Sequence, residues 1–370
     1  MKGLAMKGLA MKGLAMTTVT HPFEAPGITL GVDTHKDIHV AAALDPLGRL
    51  LETAEFPVSA SGYRDLACWG HTFGKVGTVG IEGTGSWGVG LSRHLLNSGL
   101  SVVEVNAPNR QDRRRHGKTD TTDAIAAARA VLAGTATGTP RGNKGAVEGL
   151  RANRITLRSA IKARTQAMNQ LKALVAGAPE PLHDQLSDMN TRVLVETVTA
   201  MRPGAGLDVV NTTKAEMRTL GRRIGFLNEE IVESRGRQER LITATAPPEL
   251  LAEPGVGNAV AADLLIAFGD NPQRIGREGS FASLCGVSPV DCSSGRQQRH
   301  RLNRGGDRHA NRALWTIVFT RLKHDETTRA YMAKSTARGK TKKETSRSRK
   351  RYVARHIWRL LQQHPPTLDK

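Results

Sequence analysis

Three short apolar segments, joined by turns, open the folded part of the chain at residues 28–32, 38–44 and 50–58. The turns at residues 35–37 and 45–48 carry the His, Asp, Pro and Gly residues that favour chain reversal. Because connections this short join antiparallel neighbours, the pattern predicts three strands that pair in chain order.

Helices and strands alternate after the third strand. A sheet that continues through helical crossovers must pair its later strands in parallel. We therefore predict an α/β domain with a mixed five-stranded sheet covered by helices. The predicted elements are a helix at 61–73 with Ser61 as its candidate N-cap, a strand at 77–81, a helix at 87–97, a strand at 100–105 and a helix that begins near 120.

Four carboxylates stand at the predicted ends of these elements. Asp33 and Glu82 end strands, and open α/β sheets place their sites at the carboxyl ends of strands. Asp120 and Asp123, three residues apart, share one face of a helix, although aspartates in a first turn also serve as caps. Four converging acids need a cation, and oxygen ligands suit Mg²⁺ or Mn²⁺.

Three sequence blocks around these acids resemble the DEDD transposases of bacterial insertion sequences. The resemblance implies a ribonuclease-H-like (RuvC-like) catalytic domain over residues 26–135. It also implies that Asp33, Glu82, Asp120 and Asp123 form a catalytic tetrad that binds Mg²⁺ or Mn²⁺. The blocks are Gly31-Val32-Asp33-Thr34-His35-Lys36, Gly80-Ile81-Glu82-Gly83-Thr84-Gly85 and Lys118-Thr119-Asp120-Thr121-Thr122-Asp123-Ala124.

The charge of the chain indicates a polyanionic partner. Lys and Arg number 54 against 34 Asp and Glu, which gives a formal net charge of +20. No apolar run approaches the roughly 20 residues that span a bilayer, so nucleic acid is favoured over a membrane. Three cysteines without metal-site spacing favour a reduced, cytoplasmic protein. Five basic residues that precede Asp120 are predicted to contact phosphates: Arg110, Arg113, Arg114, Arg115 and Lys118.

A repeated pentapeptide precedes the first domain. Residues 1–25 begin with Met-Lys-Gly-Leu-Ala repeated three times, and we interpret them as a disordered leader that is a tag or a local duplication.

Residues 145–250, which follow the first domain, contain two rows of apolar residues (seams) with spacings of three and four positions. The seams predict long helices packed as a coiled coil, within one chain or between subunits. Family resemblance implies a homo-oligomer, a dimer or a tetramer, built through these helices.

Residues 251–323 are predicted to form a mainly α-helical third domain. Gly255 and Gly257 precede a helix in a turn like that of a helix-hairpin-helix element, where backbone N–H groups approach a phosphate. Farther on, Gly286-Val287-Ser288-Pro289, Ser294-Gly295 and Gly306-Asp307 resemble the second conserved block of the same transposases. Val287 and Asp307 depart from the Leu and Asn that are common there.

The second block implies a nucleophilic serine. By position Ser294 is the first choice and Ser293 the second, and the attack on DNA would leave a phosphoserine link. A polar turn is the alternative interpretation of the two serines. The basic residues predicted to contact nucleic acid beside the serines are Arg296, Arg299, Arg301, Arg304 and Arg308.

The last segment of the chain is rich in Lys and Arg. Residues 324–370 are predicted to be a basic tail with salt-sensitive affinity for nucleic acid.

The resemblance thus implies a DNA transposase or recombinase, which we expect to work at the nucleoid of a prokaryotic cytoplasm. The resemblance implies a structured noncoding guide RNA (a bridge RNA) encoded by the element. One alternative is a metal-dependent Holliday-junction-type endonuclease in which water attacks and the serine is structural. An actin-like ATPase would need a duplicated domain and a second phosphate loop, and the sequence offers neither. A non-catalytic nucleic-acid-binding protein is the remaining alternative.

Overall fold

The computed structural model describes residues 27–105, 119–142, 145–296 and 300–366. The chain divides after Gly138 into two compact units. The predicted leader, the arginine-rich loop before Asp120 and Arg299 lie outside the described residues. The finer division into five parts stays a prediction.

The first unit is built on one sheet. Its strand order is β3-β2-β1-β4-β5, in which β1 pairs antiparallel with β2 and parallel with β4. The predicted mixed five-stranded sheet is confirmed. The elements are β1 (Ile28–Thr34), β2 (Ile38–Leu44), β3 (Leu50–Pro57), α1 (Ala60–Thr72), β4 (Val76–Glu82), α2 (Val89–Asn97), β5 (Ser101–Val105) and α3 (Asp120–Leu132).

Helices cover both faces of the sheet. Leu66 of α1 and Leu91 of α2 pack in one buried cluster with Leu30, whereas Ala124 of α3 packs with Val40 on the other face. All seven residues of β1 are therefore buried. Helix α1 begins one residue earlier than predicted. Its N-cap is Ser59, whose Oγ accepts from the Gly62 amide at 3.1 Å, and not Ser61.

Glycine at position 31 lets α3 lie directly on β1. A Cβ atom at Gly31 would stand 2.2 Å from the Ala124 carbonyl oxygen and 2.2 Å from the Ala128 amide nitrogen. Ala124 and Ala128 are themselves small and fully buried. The close approach sets the height of the first turn of α3 above the end of β1, where Asp33 lies.

We expect Gly31→Ala to destabilise the first unit by about 1–3 kcal/mol, the usual cost of overpacking. The added methyl group meets helix backbone, which cannot rotate away as a side chain can. Chemical denaturation of the full chain measures the loss. Gly77→Ala on β4 is the matched control, because its new Cβ would meet no atom closer than 3.6 Å. Equal stabilities of the two variants would contradict this account of α3.

The second unit is mainly α-helical, as predicted for the later part of the chain. Within the described residues, no helix is long and apolar enough to cross a membrane. The elements of the second unit are α4 (Gly145–Ala176), α5 (Glu180–Leu186), α6 (Thr191–Ala200), α7 (Val209–Thr245), α8 (Pro248–Leu251), α9 (Asn258–Phe268), a 3₁₀ turn (Pro272–Ile275), α10 (Glu278–Leu284), β6 (Val290–Asp291), β7 (His300–Arg301), α11 (Arg308–His324), α12 (Glu326–Ala337) and α13 (Lys342–Gln363).

The long helices α4 and α7 pack against each other within the chain. Leu150 lies in one buried cluster with Ile242, and Leu157 lies in another with Ile231, so the two helices run antiparallel. Two arginines of α4 also form ion pairs with helix α9. Arg154 and Arg158 both pair with Asp263 of α9, the first at 2.9 Å. These two arginines therefore neutralise a buried carboxylate of the same unit.

Within the described residues 324–366, the predicted basic tail contains two helices, α12 and α13. Helix α13 turns its apolar side, with Val353, Ile357 and Leu361, into the core of the second unit. Thr341 begins this helix with a capping box that includes Glu344. The apolar residues recur every three or four positions, which is a helical period.

Candidate metal and nucleic-acid site

The carboxyl ends of β1 and β4 bring two of the predicted acids to one edge of the sheet. Val32 and Ile81 are partners in the parallel ladder, so the residues that follow them, Asp33 and Glu82, lie side by side along the strand ends. Thr34 Oγ1 donates a hydrogen bond to the Glu82 carbonyl oxygen at 2.8 Å. This bond ties the two strand ends together immediately beside the acids.

Helix α3 supplies the other two acids in its first turn. Its N-cap is Thr119, whose Oγ1 accepts from the Thr122 amide at 3.1 Å. The helix is therefore capped by a threonine and not by either aspartate. Asp123 is buried at 3% exposure, whereas the Asp120 side chain is half exposed.

His35 joins Asp33 to Asp120. Its Nε2 lies 3.1 Å from Asp33 Oδ2 and 3.2 Å from Asp120 Oδ1. One ligand atom from each of the three side chains falls within 4.8 Å of the other two, a spacing that could hold a metal ion. We call Asp33, His35 and Asp120 the acid–histidine cluster. His35 lies in the first sequence block, but no role for it was predicted from the sequence.

The electrostatics of the cluster disfavour a charged Asp33. Burial raises the pKa of the Asp33 carboxyl above its usual value, and the negative charges of Asp123 and Asp120 raise it further. The nearby His35 lowers this pKa in part. Two or three carboxylates this close repel one another unless positive charge enters the site. A divalent cation would supply that charge.

Glu82 and Asp123 lie outside the acid–histidine cluster. Glu82 is half-buried at the end of β4, and Asp123 is close enough to act on the charge of Asp33. Neither belongs to the group of described side chains whose ligand atoms lie within 4.8 Å of one another. The donor set that the structure brings together is two carboxylates and an imidazole, which fits Mn²⁺ as well as a mostly hydrated Mg²⁺.

The two candidate serines lie in the short hairpin of β6 and β7, where Asp291 pairs with His300. Asp291 Oδ1 accepts hydrogen bonds from the amide of Ser293, at 2.8 Å, and from its hydroxyl. The Ser293 hydroxyl bond lowers the pKa of the exposed Asp291 carboxyl, which makes Asp291 a weak base. Among the described residues no hydrogen bond reaches the Ser294 hydroxyl, and Ser294 is exposed.

A partly buried polar network links α11 and α13 to the segment that precedes this hairpin. Asn311 of α11 donates to the carbonyl oxygens of Cys285 and Gly286 at 2.8 and 3.1 Å. Lys350 of α13 donates in turn to Asn311 Oδ1 at 2.9 Å. Burial lowers the pKa of the Lys350 ammonium. Neither residue was singled out in the sequence, because 39 positions separate them.

The two departures from the second block have simple structural explanations. Val287 packs against the core of the second unit, as a leucine would. Asp307 is the N-cap of α11 and accepts from the amides of His309 and Ala310 at 2.7 and 3.0 Å. Aspartate and asparagine cap helices about equally well.

The glycine turn before α9 has one packed and one open glycine. Gly255 has a φ of +90°, and a Cβ there would stand 3.0 Å from the Ile317 Cα on α11. Gly255 is therefore required for packing inside the unit. Gly257, the N-cap of α9, has open space around it. The predicted cationic residues that the structure describes here are all exposed: Arg296, Arg301, Arg304 and Arg308.

A mixed sheet in this strand order, with acids where its parallel strands end, is consistent with a ribonuclease-H-like domain. Residues 30–178 match the DEDD-type transposase family of IS110 elements. Residues 248–333 match the transposase family named for IS116, IS110 and IS902. The chain belongs to the IS110-type family of insertion-sequence transposases.

One curated relative is the insertion element IS110 uncharacterized 43.6 kDa protein of Streptomyces coelicolor. It is 36% identical over 95 residues, which cover 25% of this chain and 23% of the relative. The similarity to this relative thus spans less than a quarter of the relative's length.

Proposed function

We propose that this chain is the transposase of an insertion sequence, and that it cuts and rejoins DNA with the help of a divalent cation. The observation that carries the proposal is the acid–histidine cluster at the carboxyl end of the sheet, within the segment that matches the DEDD-type family. Asp33, Glu82, Asp120 and Asp123 are the proposed acidic tetrad, with His35 as an additional ligand. When bound, Mg²⁺ or Mn²⁺ would offset the charge that develops on the scissile phosphate.

Ser294 is the proposed nucleophile. Its hydroxyl oxygen forms a bond to the scissile phosphorus and releases its proton to solvent. The bond from that phosphorus to one deoxyribose oxygen breaks, and the departing oxygen takes up a proton. The exposed cations Arg296 and Arg301 lie close in sequence and would stabilise the negative charge on the phosphoryl oxygens. Ser293 is the second choice, because it stands one residue farther from Gly295, and Asp291, the carboxyl that accepts from its hydroxyl, is a weak base.

The partners form the wider part of the proposal. The net charge of +20 supports binding of DNA and of a structured, element-encoded guide RNA. We propose that the arginine-rich loop before Asp120, Arg299 and the open turn at Gly257 contribute phosphate contacts. The antiparallel pair of α4 and α7 is proposed to act as a coiled coil in a homo-oligomer, at the nucleoid of a prokaryotic cell.

A two-plasmid assay in bacteria tests the function. One plasmid carries the gene within its native flanking DNA, and a second plasmid serves as a target. Expression of the wild-type chain is expected to produce new donor–target junctions, which sequencing detects. RNA that co-purifies with the protein is sequenced in parallel, and a discrete species from the flanking DNA is expected. No junctions above the background of an empty vector would refute the transposase proposal, and random RNA fragments would refute the guide RNA.

The junction-nuclease alternative predicts a different product. A nuclease that uses water would nick or resolve branched DNA and would leave no DNA attached to the denatured protein. Recovery of a protein–DNA adduct after denaturation is expected for the serine mechanism. Cleaved DNA with free ends and no adduct would favour the nuclease.

A further inference from the structure

Helix α11 carries an exposed stripe of cations and aromatic rings. Arg308, Arg312, Trp315, Phe319 and Lys323 follow one another at intervals of three and four residues, so they lie along one side of the helix. All five are exposed. The opposite side of α11, with Leu314 and Val318 among others, is buried in the core of the second unit.

The two aromatic rings of the stripe stack on each other, and a lysine lies over one of them. The ring centroids of Trp315 and Phe319 lie 5.0 Å apart, with planes inclined by only 13°. Lys323 Nζ lies 4.7 Å from the centroid of the Phe319 ring. Trp315 nevertheless remains 48% exposed and Phe319 43% exposed. Exposed aromatic rings stacked in this way offer a flat face on which a planar ligand can stack.

The charge around the stack identifies the chemistry of its occupant. Helix α11 contains no acidic residue, and cations stand at both ends of the aromatic pair. An apolar protein partner would have to desolvate or neutralise these cations. A nucleic-acid strand pairs its phosphates with them and places bases on the rings, which is how single-strand binders combine cationic grooves with aromatic platforms.

We propose that the α11 stripe binds single-stranded DNA, with an unpaired base stacked on Trp315 and flanking phosphates on Arg312 and Lys323. The proposal deepens the proposed function by assigning an opened strand of the DNA substrate to this surface. It does not need the acid–histidine cluster, which lies in the other unit. Paired bases cannot stack on the platform, so duplex DNA gains only the contribution of the cations.

The test measures binding of a labelled oligothymidylate of about 20 nucleotides, longer than usual single-strand sites. The full chain carrying Trp315→Ala and Phe319→Ala is expected to bind it roughly 10- to 100-fold more weakly than the wild type. Affinity for duplex DNA of equal length should change less than about twofold, because the cations remain. Phe226→Ala on α7 is the matched control, since Phe226 is 67% exposed and lies elsewhere in the same unit.

Further variants separate stacking from other uses of the surface. Trp315→Phe should retain most of the single-strand affinity, whereas Trp315→Leu should lose it, because leucine is apolar but offers no ring. Equal losses for single-stranded and duplex DNA would overturn the proposal. So would unchanged oligothymidylate binding with an altered oligomeric state in sedimentation, which would mark a protein interface. Tighter binding of oligouridylate than of oligothymidylate would also overturn it and assign the surface to RNA.

Two measurements keep this inference separate from the transposase proposal. The fold-loss of oligothymidylate binding in the Trp315→Ala, Phe319→Ala double variant is expected to be the same in EDTA as with MnCl₂, because the stripe is independent of the cluster. A wild-type chain that binds the oligonucleotide through Trp315 but yields no donor–target junctions would refute the transposase function alone. Junctions formed at wild-type frequency by the double variant, together with undiminished binding, would refute the stripe alone.

Discussion

Replacing Asp33 by Asn is expected to lower the rate of metal-dependent DNA cleavage by at least about 100-fold, since a bound cation supplies several kcal/mol of charge stabilisation. Asn keeps the size of the side chain but removes the charge that would hold a cation beside His35 and Asp120. Cleavage of a donor plasmid with Mg²⁺ or Mn²⁺ measures the rate. Asp37→Asn is the matched control, because Asp37 is an exposed aspartate in the turn that follows β1 and lies outside the cluster.

The same substitution is expected to stabilise the metal-free protein at neutral pH. The pKa of Asp33 is raised by burial and by its acidic neighbours, so the folded state holds the proton more tightly than the unfolded state. Stability is therefore lost as the pH rises through the folded-state pKa, and Asn removes that loss. The thermal midpoint of the wild type should rise with added MnCl₂, whereas that of Asp33→Asn should not. Wild-type cleavage together with a wild-type response to MnCl₂ would remove Asp33 from the proposed site.

Replacing Ser294 by Ala is expected to lower strand joining by at least about 1,000-fold, as loss of an attacking nucleophile does in other covalent mechanisms. The covalent protein–DNA adduct should disappear with it. Ser293→Ala should retain both, because the lowered pKa of Asp291, to which the Ser293 hydroxyl donates, makes this carboxyl a poor base for activating Ser293. Joining is measured from junction formation, and the adduct from labelled DNA that stays with the denatured protein.

The response of the thermal midpoint to MnCl₂, which depends on the proposed ligands in the first unit, is a control for the Ser294→Ala variant. Ser294→Ala should leave the rise in thermal midpoint with MnCl₂ unchanged, since the proposed ligands are elsewhere in the chain. Undiminished joining by Ser294→Ala would contradict the covalent mechanism and favour attack by water. Loss of the adduct in Ser293→Ala, with the adduct retained in Ser294→Ala, would instead make Ser293 the nucleophile.

Much of the first unit could be predicted because its signals are local. The turn at Asp45 and Gly48 can be identified from adjacent residues, and in the structure Asp45 accepts from the amides of Leu47 and Arg49 at 2.9 Å each. The ends of helices are less certain from sequence. Ser59 and Ser61 are both suitable N-caps, and only the backbone geometry selects Ser59.

The charged segments were harder to interpret, since charge alone does not distinguish a solvated surface from an internal ion pair. Arg154 and Arg158 are basic residues on a helix in the sequence. In the structure they hold Asp263, more than 100 positions away. The basic helix α13 likewise contributes Ile357 to the core. Burial depends on which distant surface covers a segment, and composition contains no record of that.

The sequence alone was enough to predict the succession of strands and helices in the first unit, the position of Asp33 and Glu82 at strand ends, and the motifs of the transposase family. These follow from turn chemistry, apolar periodicity and residue type, all of which act over a few neighbouring positions. Two contacts could be seen only in the folded chain: His35 lies between Asp33 and Asp120, and Trp315 stacks on Phe319 at the surface. The first contact requires α3 to pack on β1. The second requires α11 to bury its other side in the core, which leaves Trp315 and Phe319 at the surface.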